Sequence, residues 1–392
     1  MNLVEVHLIQ SVPPANLNRD DTGSPKDALF GGVRRARISS QSQKRAVRQF
    51  FSGLSLLRPE ERAVRTRLLV HELVRRFPER PAEETRAVVI AALRSLGLEV
   101  EEEKDCTQYL LFLGQREIDR LAQKLHEHWD DLRSLVSPMQ DTEEKATTKQ
   151  RKQSFAKAAP KAISDALAAV LDGGRAVDIA LFGRMLADRP EWGKDAACQV
   201  AHAISTHRVD REFDFYTAVD ELQPREASGA GMMGDVEYYT ATFYRYADIN
   251  LGLLLANLEG DADLASRAVE AFLRAFVLTL PSGKQNTFAA HSLPQFVAFL
   301  VRRDSMPRNL AAAFERPVFP RDDKSISGAS VEALMDYWQR LDEAYGRPSQ
   351  EWVAILNLSD GHHAYHADKV KGSLEDALQV AMEGVRELLG VT

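Results

Sequence analysis

The stretch FGGVRRARISSQSQKRAVR, residues 30–48, combines a glycine pair, two serines and a run of cations. Between positions 34 and 48 it has six cationic side chains and no acidic one. Ser39 and Ser40 precede apolar residues at helical spacing, which predicts a serine-capped helix over about 41–52. Lys44 and Arg48 lie one turn apart on one face of that helix. Because a helix start attracts anions, the pattern fits a phosphate chain; a solvated cationic helix is the alternative.

The elements around this helix predict an α+β fold. Their order is the split β-α-β order of a ferredoxin-like or RNA-recognition domain, interrupted by a block of helices. The predicted elements are, in order, a strand at 3–9, a long loop at 11–38, the capped helix, a helical block at 58–175, strands at 176–182 and 198–209, a β-rich segment at 237–249, a helix at 261–280, a strand at 295–301, a helix at 330–345, a strand at 352–358 and a last helix capped by Ser373.

A glycine-rich segment at 227–234 separates two β-like segments. It contains Gly229, Gly231, Met232 and Met233. Two strands joined in this way predict a long hairpin with the glycine-rich segment at its tip.

The composition is that of a globular protein with an uneven charge. Of the 392 residues, 27% are charged and 44% hydrophobic, and the formal net charge is −7. Residues 1–50 hold 8 basic and 4 acidic side chains, whereas the rest of the chain holds 42 and 53. A concentrated cationic segment of this kind steers polyanions despite the acidic total.

Several classes of protein are excluded by the sequence. Two distant cysteines, Cys106 and Cys198, exclude a disulfide scaffold and a four-cysteine zinc site. No apolar run approaches the ~20 residues of a membrane span, and residues 1–9 do not resemble a secretion signal. We therefore expect a cytoplasmic protein without membrane contact.

Two further groups of polar residues are candidates for a site. Arg19 is positioned to pair with a phosphate, and Asp20 and Asp21 are candidate ligands for a divalent metal that cleaves RNA, although Asn and Asp are also ordinary turn residues. The cluster of His362 to His366 is a candidate metal site without an accompanying thiolate or carboxylate triad.

Two other segments are compatible with nucleic-acid contact. Met185 follows Gly-Arg at the end of a predicted strand, where an apolar side chain either joins the core or wedges between bases. An anion-free cationic tract, which includes Lys145, Lys149 and Lys152, either touches a nucleic-acid backbone or forms a solvated helix face.

With these residues in view, the chain resembles the CasC family of the RAMP superfamily. CasC proteins are the crRNA-binding backbone subunits of the type I-E CRISPR Cascade complex. The motifs that carry the resemblance are LNRDD (17–21), KDALFGG (26–32), RRARISSQSQKRAVR (34–48), VDIALFGRM (177–185), AHAISTHRVD (201–210), TAVDEL (217–222), FYRYADINL (243–251) and PSGKQNTFAA (281–290).

The resemblance implies a hand-like molecule. A palm of RNA-recognition type (1–57, 176–205 and 241–392 with C-terminal elements) would carry helical fingers (58–175) and a β-hairpin thumb (206–240). Lys145, Lys149 and Lys152 fall in the lobe proposed to touch target DNA, and Met185 matches the residue that wedges at a kinked base. With the cationic stretch, the resemblance gives these candidate RNA contacts: Arg19, Lys26, Arg34, Arg35, Ser39, Ser40, Gln41, Lys44, Arg48 and Met185.

The function implied by the resemblance is non-catalytic and requires no cofactor. Copies of the subunit would oligomerise along the guide RNA, contact other Cascade subunits and present the spacer for pairing with target DNA in antiviral defence. Contacts must go to phosphate and sugar because guides differ in sequence. Two alternatives stay open, a metal-dependent RAMP-type ribonuclease that uses Asp20 or Asp21, and a structural protein without nucleic-acid contact.

Overall fold

The protein forms two compact units in a computed structural model that describes residues 1–136, 160–186, 189–219, 230–320 and 323–391. The palm unit comprises Met1–Leu56, Cys198–Gly252 and Ala262–Thr392. The helical unit comprises Leu57–Ala197 and Leu253–Asp261.

Strands and helices are interspersed along the chain, as expected for a mixed fold, but four short strands among the described residues lie within the 58–175 block that the sequence predicts to be helical. In chain order, the strands are β1 (Leu3–Ala15), β2 (Asp27–Phe30), β3 (Val33–Ile38), β4 (Ala63–Thr66), β5 (Val100–Glu101), β6 (Cys106–Thr107), β7 (Leu111–Gly114), β8 (Cys198–Val200), β9 (Ala203–Ser205), β10 (Glu212–Val219), β11 (Ala230–Asn250), β12 (Phe296–Arg302) and β13 (Glu351–Asn357). The helices are α1 (Ser40–Phe50), α2 (Leu69–Val74), α3 (Ala82–Ser95), α4 (Gln115–Glu127), α5 (Trp129–Ser134), α6 (Lys161–Ala168), α7 (Val177–Phe182), α8 (Leu251–Asn257), α9 (Ala262–Leu278), α10 (Gln285–Phe288), α11 (Ile326–Tyr345) and α12 (Leu374–Leu389).

The palm unit is built on one antiparallel sheet with β1 near its centre. The strand order is β13-β12-β1-β11-β9-β3-β2, and β8 and β10 also pair with β11. Leu3 of β1 pairs with Asn250 of β11 on one side and with Arg302 of β12 on the other. With β8 and β9 as its second strand, this is the ferredoxin-like order, so the predicted α+β palm is confirmed.

Both faces of this sheet are covered by helices, because successive strand residues point to opposite sides. Tyr244 of β11 packs in a cluster with Ile9 and with Trp338 of α11. The next residue, Arg245, points the other way and donates hydrogen bonds to Gln43 of α1 at 3.1 Å and to the Phe276 carbonyl of α9 at 2.8 Å. The second face therefore holds α1, on which the predicted RNA contacts lie.

The central strand also carries buried polar side chains. Glu5 accepts hydrogen bonds from the Tyr246 hydroxyl and the Arg302 guanidinium, both at 2.8 Å. His7 is fully buried, and its Nδ1 lies 2.9 Å from the Tyr244 hydroxyl. Burial, with a smaller contribution from Arg302, lowers the pKa of His7 to about 3. This imidazole is therefore neutral in the folded palm unit.

The helical unit has its own core and a buried ion pair. Residues of α2, α3, α4 and α5 form a continuous apolar cluster. Glu117 is fully buried and accepts hydrogen bonds from the backbone N–H groups of Gly114 and Gly173 and from Arg184 at 2.9 Å. Because a buried charge is costly without a partner, these contacts fix the backbone around residue 184.

Three of the sequence predictions are wrong. Val177–Phe182 form helix α7 where a strand at 176–182 was expected, and this segment belongs to the helical unit rather than to the palm. Residues 177–181 are all buried, Asp178 among them, and a short run that is buried on every side is compatible with either element. The predicted loop at 11–38 contains the end of β1 and the hairpin of β2 and β3.

The long hairpin is formed by β10 and β11. Glu212 pairs with Tyr238, and Thr217 pairs with Met233. Gly229 and residues 220–228 lie outside the described residues.

Across the described ranges, we find no helix whose length and apolar character suit a membrane span.

Candidate nucleic-acid interface

The start of α1 is organised by serine and asparagine side chains. Ser39 has extended backbone geometry, and its Oγ accepts a hydrogen bond from the Ser42 N–H at 3.3 Å, so the predicted cap is confirmed. The Ser39 N–H donates to Asn18 Oδ1 at 2.8 Å. The loop after β1 is therefore tied to the first turn of the helix.

The outer surface of α1 carries the predicted polar contacts. Gln41 is exposed, whereas Ser40, Lys44 and Arg48 are half-buried. On the inner surface, the Gln43 amide donates to the Ala201 carbonyl at 2.9 Å. The predicted cationic face is thus presented on a helix whose opposite side is anchored to the sheet.

The loop that precedes β2 places Arg19 and Lys26 beside this helix. Arg19 is exposed and Lys26 is half-buried. The Lys26 N–H donates to the Asn18 carbonyl at 2.8 Å, which closes the loop on the residue that also holds Ser39. Both predicted cations therefore lie on the same part of the palm unit as the start of α1.

Arg34 is engaged in an ion pair at the base of the hairpin. It pairs with Asp27, which also receives hydrogen bonds from Arg211 at 2.7 and 3.1 Å. Burial alone would raise the pKa of Asp27, but the hydrogen bonds from Arg211 and Arg34 hold it below its usual value. Arg34 keeps about half of its side chain exposed, so a phosphate would compete with Asp27 for it.

Arg35 is not on the surface, and the prediction that it contacts RNA is wrong. Its side chain is fully buried and donates to the carbonyl oxygens of Phe30, Ser205 and Phe314 at 3.2, 3.1 and 2.8 Å. Burial lowers the pKa of this guanidinium. Arg35 therefore joins the β2–β3 turn to other parts of the palm unit.

A polar cavity of about 540 Å³ lies beside the helix. It brings together the loop after β1, the α1 surface and the turn before α10. Its lining residues are Leu17, Asn18, Arg19, Asp20, Asp21, Gly23, Ser42, Arg45, Ala46, Gln49, Pro281, Ser282, Gly283 and Lys284. Arg45 and Lys284 were not among the predicted contacts. Arg45 belongs to the cation run and Lys284 to the PSGKQNTFAA segment, but nothing in the sequence brings them together.

Of the two aspartates that line the cavity, Asp21 is exposed and Asp20 is held by its own turn. Asp20 accepts hydrogen bonds from the Thr22 N–H and from the Ser24 N–H at 2.9 and 3.0 Å, which is the geometry of a turn. The Thr22 side chain contributes most to holding the pKa of Asp20 below its usual value. Among the described residues, no three His, Cys, Asp or Glu side chains form a group able to hold a metal ion.

The histidines at 362–366 have separate partners. His363 Nε2 lies 2.8 Å from Asp336 Oδ1. His366 packs against the Trp338 ring at 4.8 Å between centroids, and burial lowers its pKa to about 4. His366 is therefore a core residue.

Met185 lies in the helical unit and is 90% exposed. Gly183, two residues before Met185, has a φ of 76°, and a Cβ there would lie 2.9 Å from the Lys194 carbonyl oxygen. Arg184 follows with its guanidinium buried on Glu117. Met185 is thus held outward by the turn that contains Gly183 and Arg184.

Lys145, Lys149 and Lys152, the predicted DNA contacts, lie outside the described residues.

The hairpin presents apolar side chains to solvent. Phe213 and Phe215 are 64% and 66% exposed and share one face of β10, and Met233 of β11 is 65% exposed. The backbones of Gly231 and Met232 belong to β11. Such a surface is typical of an interaction site.

Comparisons with known proteins agree with this architecture. The model of the CT1975-like protein family matches residues 4–380. A solved chain from a "CRISPR RNA-guided surveillance complex, pre-nicking" is 34% identical with a TM-score of 0.81, over 98% of this chain and 100% of that one. A second, from a "CRISPR RNA-guided surveillance complex", is 30% identical with a TM-score of 0.71, over 97% and 99%. No curated protein matches. The chain therefore belongs to the CT1975-like family, and its identification as a CasC-type protein is confirmed.

Proposed function

We propose that this protein is a non-catalytic, crRNA-binding backbone subunit of a type I-E Cascade complex. Copies of it would line the guide RNA, contact other Cascade subunits and leave the spacer free to pair with target DNA. The observation that carries the proposal is the cationic surface of α1 and the adjoining loop, in a chain similar over its full length to surveillance-complex chains.

The chemistry of this surface suits the sugar-phosphate backbone. Its exposed groups are guanidinium, ammonium, amide and hydroxyl donors, which bind phosphate oxygens without reading bases. The cavity beside α1 is lined mainly by polar residues, so it offers no flat aromatic platform for stacking. Binding should therefore be sensitive to salt and indifferent to sequence.

The hairpin and Met185 supply the apolar contacts that the proposed subunit would make with RNA or with a neighbouring copy. The exposed Phe213, Phe215 and Met233 fit a thumb that closes on RNA or on a neighbouring copy. Met185 fits an apolar wedge at a kinked base. Unstacking a base costs a few kcal/mol, which backbone contacts and thumb contacts would have to offset.

The decisive experiment measures single-stranded RNA binding by a Lys44→Ala/Arg48→Ala double variant. We expect at least a tenfold weaker affinity at low salt and a shallower salt dependence for RNAs of any sequence. Arg386→Ala, which removes an exposed cation from α12, is the matched control and should bind like the wild type. Unchanged affinity of the double variant at every salt concentration would refute the palm site.

A further inference from the structure

Three cations converge on the cavity beside α1 from separate segments of the palm unit. Arg19 comes from the loop after β1, Arg45 from α1 and Lys284 from the turn before α10. Among the residues described, their charged groups have no hydrogen-bond or ion-pair partner. Most other arginines of the palm unit are paired, as Arg211 is with Asp27 and Glu237. Three unpaired cations around one polar cavity indicate an anionic ligand.

The turn that carries Lys284 is fixed by close backbone packing. A Cβ at Gly283 would lie 2.2 Å from the Leu17 carbonyl oxygen, so only glycine fits there. Lys284 itself has a left-handed backbone with a φ of 50°, and its carbonyl accepts hydrogen bonds from Thr287 and Phe288 at 3.0 Å. The position of its Cα is therefore set before any ligand binds, which lowers the entropy cost of binding.

The acidic residues of the cavity leave a cationic excess. Asp20 is occupied by the N–H groups of its own turn, and Asp21 is exposed. The cavity thus has three cations and two carboxylates, and the Asp20 carboxylate already accepts hydrogen bonds from its own turn. This balance favours binding of an anion over binding of a metal ion. The cavity volume of about 540 Å³ and its open, polar lining suit an extended phosphate chain rather than an apolar ligand.

Helix α1 places this cavity next to the predicted contact face. Ser42, Arg45 and Gln49 recur at spacings of three and four residues, so they share one face, whereas Lys44 and Arg48 lie on the neighbouring one. We propose that Arg45 and Lys284 join Arg19, which is already a predicted RNA contact, to form a phosphate site for single-stranded RNA, in addition to the contacts on the Lys44 face. This inference rests on the proposed function and extends the RNA path from α1 to the 281–284 turn.

The test compares Arg45→Gln and Lys284→Gln with wild type, by RNA affinity at salt concentrations from about 50 to 200 mM. Each variant should bind more weakly at low salt, and the slope of log affinity against log salt should fall by about 0.7 for each phosphate that the variant no longer neutralises. Arg386→Gln is the matched control because it removes one exposed cation from α12, which does not line the cavity. Thermal unfolding of each variant shows whether it is folded.

The outcomes separate this site from the function as a whole. Reduced slopes for both variants, with the control unchanged, support the phosphate site. Wild-type slopes for Arg45→Gln and Lys284→Gln, while Lys44→Ala/Arg48→Ala still loses affinity, would overturn the cavity site and leave the proposed function standing. If every variant bound RNA like the wild type, the proposed function itself would fail.

Discussion

At the scale of single residues, burial decides which charges are available to a ligand. Arg34 and Arg35 are neighbours in the same cationic run, but only Arg34 keeps an exposed guanidinium. The carbonyl acceptors of Arg35 include Ser205 and Phe314, which lie 170 and 279 residues further along the chain. The sequence predicts the run of cations correctly, but it cannot reveal partners that only the folded sheet brings together.

Buried His7 makes the stability of the palm unit depend on pH. Its pKa is lowered to about 3, whereas an unfolded histidine titrates near 6.5. Between these values the unfolded chain binds a proton that the folded one does not. Stability is therefore fully present above about pH 6.5 and is lost as the pH falls, by up to about 1.4 kcal/mol per pH unit.

A His7→Gln variant should remove this dependence while keeping a partner for the Tyr244 hydroxyl. We expect its free energy of unfolding in urea to change less between pH 6.5 and 4.5 than that of the wild type. His291→Gln replaces an exposed histidine of the same unit and should retain the wild-type slope. An equally steep slope in His7→Gln would mean that another group causes the acid sensitivity.

At the scale of elements, periodicity predicts amphipathic helices well and short buried elements poorly. The predicted helix at 261–280 is α9, Ala262–Leu278, and Ser373 caps α12 as expected, accepting from the Asp376 N–H at 3.1 Å. The strand prediction fails at α7 because residues 177–181 are buried throughout, Asp178 included, so the helix has no exposed polar face from which to read a period. The same burial on all sides makes α7 part of the core of the helical unit.

The hairpin of β10 and β11 should contribute to assembly more than to folding. In a Phe213→Thr/Phe215→Thr variant, two exposed aromatics become β-branched residues that suit a strand. Surface substitutions change stability little, so we expect a melting temperature within about 3 °C of the wild type. We also expect a smaller fraction of protein in RNA-containing particles on size-exclusion chromatography with crRNA.

The control for the hairpin is Leu293→Thr, which removes an apolar side chain of similar exposure elsewhere in the palm unit. It should assemble normally. A hairpin variant that forms particles like the wild type but melts much earlier would assign Phe213 and Phe215 to folding instead.

At the scale of the whole molecule, the motifs identify the family, whereas the fold brings the site together. The cavity joins residues near 20, 45 and 283, three segments that are far apart in sequence. Each has its own signal, a turn, a cation run and the PSGKQNTFAA segment, but only the sheet order of β1 beside β11 and β12 makes them neighbours. The two functional hypotheses for this assembled surface are binding of RNA without catalysis and metal-dependent cleavage of RNA.

An Asp21→Asn variant distinguishes these two activities. If the cavity holds a phosphate, removing an exposed carboxylate beside it removes a repulsion of up to about 1 kcal/mol, so RNA affinity at low salt should rise about two- to fivefold. If Asp21 is a metal ligand of a ribonuclease, the variant should instead lose cleavage of complementary RNA in the presence of Mg²⁺. We expect Asp21→Asn to bind RNA more tightly than the wild type, and we expect neither protein to cleave it. Cleavage by the wild type that disappears in Asp21→Asn would establish the nuclease and contradict a non-catalytic backbone subunit.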